Sequence, residues 1–111
     1  MTSKDNDVKL VHCPALVTIR VISGKWKTRI LWLLRSESMM FGQLKRNLKG
    51  ISAKMLTEHL RQLEKDGVIA NITEDKGNQT SSRYEFTSYG RTLIPVLDSI
   101  GNWGLIHEDK T

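Results

Sequence analysis

A chain of 111 residues with 17 Lys/Arg against 12 Asp/Glu carries a formal charge of +5. It is long enough for one compact domain and little else. No apolar run could span a bilayer, the polar start Met1-Thr2-Ser3-Lys4-Asp5-Asn6-Asp7 lacks a signal peptide's apolar centre, and a single cysteine excludes an intramolecular disulfide framework. These features lead to the expectation of a cytoplasmic protein in a reducing compartment, with no membrane partner.

Residues 1–11 read as a polar N-terminal tail, 12–108 as the domain and 109–111 as a C-terminal tail. Pro14 to Ile22 forms a short apolar helix that breaks at Ser23-Gly24, and Lys25 to Arg35 forms the next, with Trp26, Ile30, Leu33 and Leu34 on one face. Phe41 to Lys49 is a third, with Phe41, Leu44 and Leu48 inward and Lys45, Arg46 and Lys49 outward. After a turn at Gly50, Ser52 is placed to cap a longer helix running to Lys65. Its buried stripe is Ala53, Leu56, Leu60 and Leu63; opposite lie Lys54, Glu58, Arg61 and Lys65, with Thr57 beside them. Short helix, turn, longer helix with a cationic face is the helix-turn-helix pattern, whose second helix enters the major groove. The same pattern occurs in αα-hairpins that bind nothing.

Val68 to Thr73 and Arg83 to Phe86 have strand-like content. The polar stretch Glu74 to Ser82 between them reads as an exposed connection. Thr87 can cap a last helix ending near Glu108, with Tyr89, Leu93, Leu97, Ile100 and Trp103 on one side and a kink near Thr92 to Ile94 imposed by Pro95. This helix and the first are more apolar than one small core requires. They therefore form either a dimer interface, through Pro14, Leu16, Ile19, Leu97, Ile100 and Trp103, or simply a cover for their own domain. The fold class is α+β, mainly helical: a winged helix-turn-helix with a two-stranded β-wing.

Charge sharpens the functional reading. Residues 25 to 61 hold nine Lys/Arg against two acidic residues, a charge of +7, whereas the rest of the chain, eight cations against ten carboxylates, sums to −2. That asymmetry fits a polyanion, because Lys/Arg contacts to phosphate release condensed counterions. His12, His59 and His107 are scattered, with no Cys or carboxylate at metal-ligand spacing, and no Gly-rich phosphate loop occurs. No catalytic residue, metal or cofactor is assigned, and the chain reads as a non-enzyme.

Cys13-Pro14, Ser23-Gly24-Lys25-Trp26-Lys27, Gly50-Ile51-Ser52-Ala53-Lys54-Met55-Leu56-Thr57, Leu60-Arg61-Gln62-Leu63-Glu64-Lys65-Asp66-Gly67, Tyr84, Thr87, Gly90 and Leu93-Ile94-Pro95-Val96-Leu97 together resemble the HxlR-type regulators in order and spacing, over residues 12 to 104. The resemblance implies a prokaryotic transcription factor, related to MarR-type proteins, that binds palindromic operator DNA at the nucleoid as a homodimer formed by its first and last helices. Transferred by position, the reading helix is Ser52 to Lys65 and the wing is Asn71 to Phe86. The expected DNA-binding residues are Lys45, Arg46, Ser52, Lys54, Met55, Thr57, Glu58, Arg61, Lys76 and Arg83. Three departures stand out: Met40 where the family usually has a basic residue, a wing without the usual proline pair and about one residue longer, and Ser23 in place of a common glycine.

Cys13 precedes a proline that favours the first position of a helix, so its thiol sits where the helix dipole favours thiolate. Several members of the family sense quinones, aldehydes, hypochlorite or disulfide stress through a cysteine at this position, and others carry it with no known sensing role. Three readings stay open beside one another: a DNA-binding regulator switched by an electrophile or oxidant at Cys13, one switched by a small apolar effector with Cys13 structural, and a winged helix used for protein interaction.

Overall fold

The computed structural model describes residues 12–110, and of Lys76 the backbone alone. The expected tail 1–11 and Thr111 lie outside the described residues. Five α-helices and a small sheet follow in the order α1 (Pro14–Ile22), α2 (Lys25–Leu34), β1 (Met39–Met40), α3 (Phe41–Asn47), α4 (Ala53–Lys65), β2 (Ile69–Lys76), β3 (Gln79–Phe86), a 3-10 turn (Gly90–Leu93) and α5 (Ile94–Lys110).

Pro14 opens α1 at its first position, where a missing N–H costs nothing. α2 is fastened to α1 by side chains: the Thr28 hydroxyl donates to the Ile22 carbonyl, and Lys27 Nζ donates to the Arg20 carbonyl at 3.0 Å. Ile30, Leu31 and Leu34 of α2 are buried. Leu31, absent from the expected stripe, is fully enclosed, while Trp26 and Leu33 are only half-buried. The apolar arc of α2 is wider than a single stripe because α1, α4 and the sheet reach it from different sides.

α3 begins with the Met40 N–H donating to Gln43 Oε1 at 2.8 Å, which closes its first turn. The start of α4 follows expectation: Ser52 Oγ accepts from the Met55 N–H at 3.1 Å. Leu56, Leu60 and Leu63 are each at most 1% exposed. Each such leucine contributes roughly 2 kcal/mol by leaving water. Ala53, expected in this stripe, is exposed, because the first turn projects beyond the core. The helix ends in a double closure in which the Gly67 N–H donates to Glu64 O at 2.9 Å and the Val68 N–H to Leu63 O at 3.2 Å, with buried Val68 and Leu63 belonging to the same core. That closure needs the left-handed backbone of Gly67, at φ +79°.

The sheet is antiparallel with strand order β1-β3-β2. β2 and β3 pair without interruption from Ile69↔Phe86 to Lys76↔Gln79, leaving only Gly77-Asn78 as the turn. Most of the stretch expected as a loop, Glu74 to Ser82, is therefore ladder. Glycine at φ +65° in the first turn position is what a two-residue hairpin connection takes. β1 is a third strand that the sequence pattern does not reveal; Met39 pairs with Tyr84 and Met40 with Arg83.

The Thr87 hydroxyl donates to the Gly67 carbonyl at 2.7 Å and accepts from the Gly90 N–H at 2.9 Å. It thus caps the 3-10 turn rather than one continuous helix, and joins that turn to the end of α4. Pro95 occupies the second position of α5. Its ring accounts for the break between the 3-10 turn and the α-helix, in the segment where a kink was expected. α5 runs to Lys110, two residues beyond its expected end, and only Leu97 along it is buried.

Candidate nucleic-acid interface

α3 and α4 present one outward surface. Lys45 and Arg46 lie exposed in the last turn of α3, and Lys54, Glu58 and Arg61 lie exposed along α4, opposite its leucines. Met55 is 39% exposed on the same helix. Two expected contacts are already engaged within the protein. Ser52 Oγ accepts the cap bond and keeps its O–H donor for another partner, whereas the half-buried Thr57 hydroxyl donates to the Ala53 carbonyl at 2.8 Å and keeps only acceptor capacity.

The wing stands beside this surface. Arg83, exposed on β3, donates through Nη1 to Ser38 Oγ at 3.1 Å, so its guanidinium is anchored to the residue before β1 and reaches outward with its remaining donors. Lys76 ends β2 at the tip; its side chain lies outside the described residues. At the wing base Tyr84 is half-buried between Met39 and Asn71, its cross-strand neighbours, and its oxygen accepts from Asn71 Nδ2 at 3.4 Å. Burial pushes the Tyr84 phenol up from its ordinary value; the negative charge of Glu64 adds to this and the positive charge of Arg61 opposes it. Both charges belong to α4, so the wing base lies in the electrostatic field of that helix. Ser38 and Tyr84 were not among the expected site residues; Ser38 precedes a two-residue strand that leaves no alternation from which to find it.

The charge concentrated in residues 25 to 61 is only partly available at this face. Lys27 is bound to the Arg20 carbonyl, Lys25 Nζ lies 4.7 Å and Arg29 5.9 Å from the Trp26 ring centroid, and Arg35 is ion-paired with Asp98 at 3.0 Å. The cations of α2 thus hold α1, Trp26 and α5, and the outward positive surface is that of α3 and α4.

Elsewhere, a broad apolar surface is uncovered. Leu16 is 52%, Ile19 47%, Ile100 45% and Trp103 65% exposed, with Leu105 and Ile106 beyond them and Pro14 exposed at the start of α1. Leu97, expected at an interface, is instead 1% exposed: it points into the core, where it anchors α5. Cys13 is exposed at the N-cap of α1 and its side chain makes no capping hydrogen bond. No helix among the described residues is long and apolar enough to cross a membrane.

Comparison with known proteins agrees with this geometry. Residues 21–111 match the sequence family described as HxlR-like helix-turn-helix. YtcD of Bacillus subtilis, named an uncharacterized HTH-type transcriptional regulator, is 44% identical over 95 residues, which span 84% of this chain and 73% of that protein. YdzF of the same organism, similarly named, is 38% identical over 95 residues, or 85% and 86% of the two chains. Among solved structures, the redox regulator HypR in its reduced form superposes with a TM-score of 0.81 at 31% identity, covering 87% of this chain and 95% of that one. The crystal structure of YtcD gives 0.77 at 39% identity, over 88% and 99%.

Proposed function

Because the chain belongs to the HxlR-like helix-turn-helix family of transcriptional regulators, we propose that it acts as a homodimer that binds a palindromic DNA operator, laying α4 in the major groove and the β2–β3 wing on the flanking backbone. The observation that carries this reading is α4 itself: three leucines sealed in the core on one side, and Lys54, Glu58 and Arg61 exposed in a row on the other. In this reading Arg61 and Lys54 meet base edges, while Lys45, Arg46, Lys76 and Arg83 meet phosphates and fix the register. Ser52, Met55 and Thr57 line the contact. Two-fold pairing through the exposed faces of α1 and α5 sets two reading helices one DNA turn apart, about 34–36 Å. The exposed apolar side chains on both helices support that pairing, since large exposed apolar patches mark interaction surfaces.

The test is sedimentation together with a mobility shift on the DNA upstream of the protein's own gene, challenged with unlabelled competitor. A dimer that retards this DNA against random competitor is expected. A stable monomer of 12.7 kDa removes the palindrome. Retardation abolished equally by any competitor favours a protein-interaction role for the same fold.

The exposed thiol of Cys13 at the first turn of α1 supports a switch in the same reading. An adduct there, or a disulfide to Cys13 of a second copy, displaces a helix of the proposed dimer, and HypR, 31% identical, is named a redox regulator. Diamide is expected to change operator affinity in the wild type and to leave Cys13→Ser indifferent; an equal response in both assigns the signal to another site. One such site is an apolar hollow of about 400 Å³ walled by Trp32, Leu33, Leu48, Leu97 and Ile100, a size suited to a small apolar effector.

A further inference from the structure

α5 is fastened to the core by a short anchor. Within the helix proper Leu97 is buried, one residue later Asp98 is ion-paired, and one turn on Gly101 lies against Trp32 of α2. Beyond Gly101 the helix presents exposed apolar side chains: Trp103 is 65%, Leu105 63% and Ile106 57% exposed. Nine residues follow Gly101 up to the helix end at Lys110, so this arm is about 13 Å long at 1.5 Å per residue.

The anchor is built for a fixed angle. Gly101 is required for the close approach, because a Cβ there would overlap the Trp32 indole. Arg35 lies over the same indole, its guanidinium carbon 3.6 Å from the ring centroid. The same guanidinium donates through Nε to Asp98 Oδ1 at 3.0 Å and through Nη1 to the Trp32 carbonyl at 3.1 Å. One planar fork therefore holds the α2 backbone, the α2 indole and the α5 carboxylate together. With side chains 28% and 54% exposed, the ion pair itself adds little stability. Its geometry nevertheless fixes orientation, which a lysine's single flexible ammonium could not reproduce.

We propose that this clamp sets the distance between the two reading helices, which makes Arg35 a positioning residue for operator spacing. The inference rests on the dimeric DNA-binding reading above. α2 is part of the reading unit and the exposed arm of α5 is part of the proposed dimer surface, so the angle at the anchor fixes where each α4 stands relative to the two-fold axis. A tilt of about 10° moves the end of the arm by about 2 Å. The two-fold axis doubles that change, giving a displacement on the order of the 3.4 Å rise of one base pair.

The experiment uses the full-length protein and a pool of random duplexes. Half-sites enriched by the wild type are rebuilt as inverted pairs with spacers of increasing length. Affinities for this series are then measured for the wild type, Arg35→Lys, Asp98→Asn and Gly101→Ala. The variants are expected to shift the best spacer by about one base pair, or to flatten the preference several-fold, with single half-site affinity and half-site sequence unchanged. Arg35→Lys alters a half-buried group and Asp98→Asn an exposed one, and both keep the test available if Gly101→Ala does not fold. Variants that keep the wild-type spacer optimum and bind more weakly by the same factor at every spacing overturn the clamp and leave the dimeric reading standing. A wild type that enriches unpaired half-sites, or no sequence, overturns both.

Discussion

The two faces of this small protein are finished to different degrees. Around α4 every large apolar side chain of the stripe is enclosed, the helix is closed at both ends by hydrogen bonds, and what remains outside is polar apart from Ala53 and Met55. Along α1 and the far half of α5 the relation is reversed: apolar side chains stand in solvent, and α5 carries a single buried residue. The first region is complete as a folding unit, and the second leaves apolar area that the proposed dimer would cover. In that reading a helix carrying both a buried anchor and an exposed apolar arm joins a stable unit to an assembly, and the contrast separates residues that hold the fold from residues that serve its use.

That contrast can be broken most sharply by truncating one large apolar side chain on each side. Leu60→Ala, in the enclosed region, is expected to cost about 2–5 kcal/mol of unfolding free energy, the usual cost of a cavity in a packed core. Trp103→Ala, on the exposed arm, is expected to leave the unfolding of dilute protein within about 0.5 kcal/mol of wild type while weakening self-association in sedimentation. Equal destabilisation at the two positions in dilute protein would erase the distinction.

A smaller effect distinguishes reading from anchoring on the outward face. Arg61→Ala is expected to cost roughly 1–3 kcal/mol on the selected operator and little on random DNA; an equal cost on both would make Arg61 a phosphate ligand. Smallest is the contribution of the wing. Replacing Lys76 and Arg83 together by Ala is expected to weaken binding to all sequences alike and to flatten the salt dependence by about 0.9 log units per log salt for each phosphate that is no longer neutralised. Unchanged affinity and slope would leave the wing without a role at the DNA.

Legibility in the sequence follows the same division. α4 is readable because three independent signals coincide there: leucines at helical spacing, a serine at the cap and a glycine at the end. The wing is readable only at its base. Glu74, Asp75, Lys76, Gln79, Ser81 and Ser82 carry no alternation, since the outer hairpin has no buried face; its strands are held by register and by a tight turn. β1 is invisible to periodicity at two residues, and the Ser38–Arg83 hydrogen bond is hidden with it. Leu97 reads as outward in the sequence because α5 is apolar on more than one side, and spacing alone does not say which side meets the core. Ala53 falls outside the core because a stripe on a helical wheel ignores where the neighbouring elements stop.

The uninterrupted ladder of the wing has a bearing on how such a chain can change over generations. From Glu74 and Ser81 outward both faces of the hairpin are exposed wherever side chains are described, so residues added in cross-strand pairs next to the turn would lengthen the arm by about 3.3 Å per pair. Such additions leave Tyr84, Phe86 and the end of α4 where they are. A single unpaired insertion near the base would instead turn the following side chains to the opposite face and expel Phe86 from the core. Length variation among related chains is therefore expected to gather at Gly77-Asn78, as cross-strand pairs or as a longer or shorter turn, so that reach along a target can drift while the architecture beneath it is inherited intact.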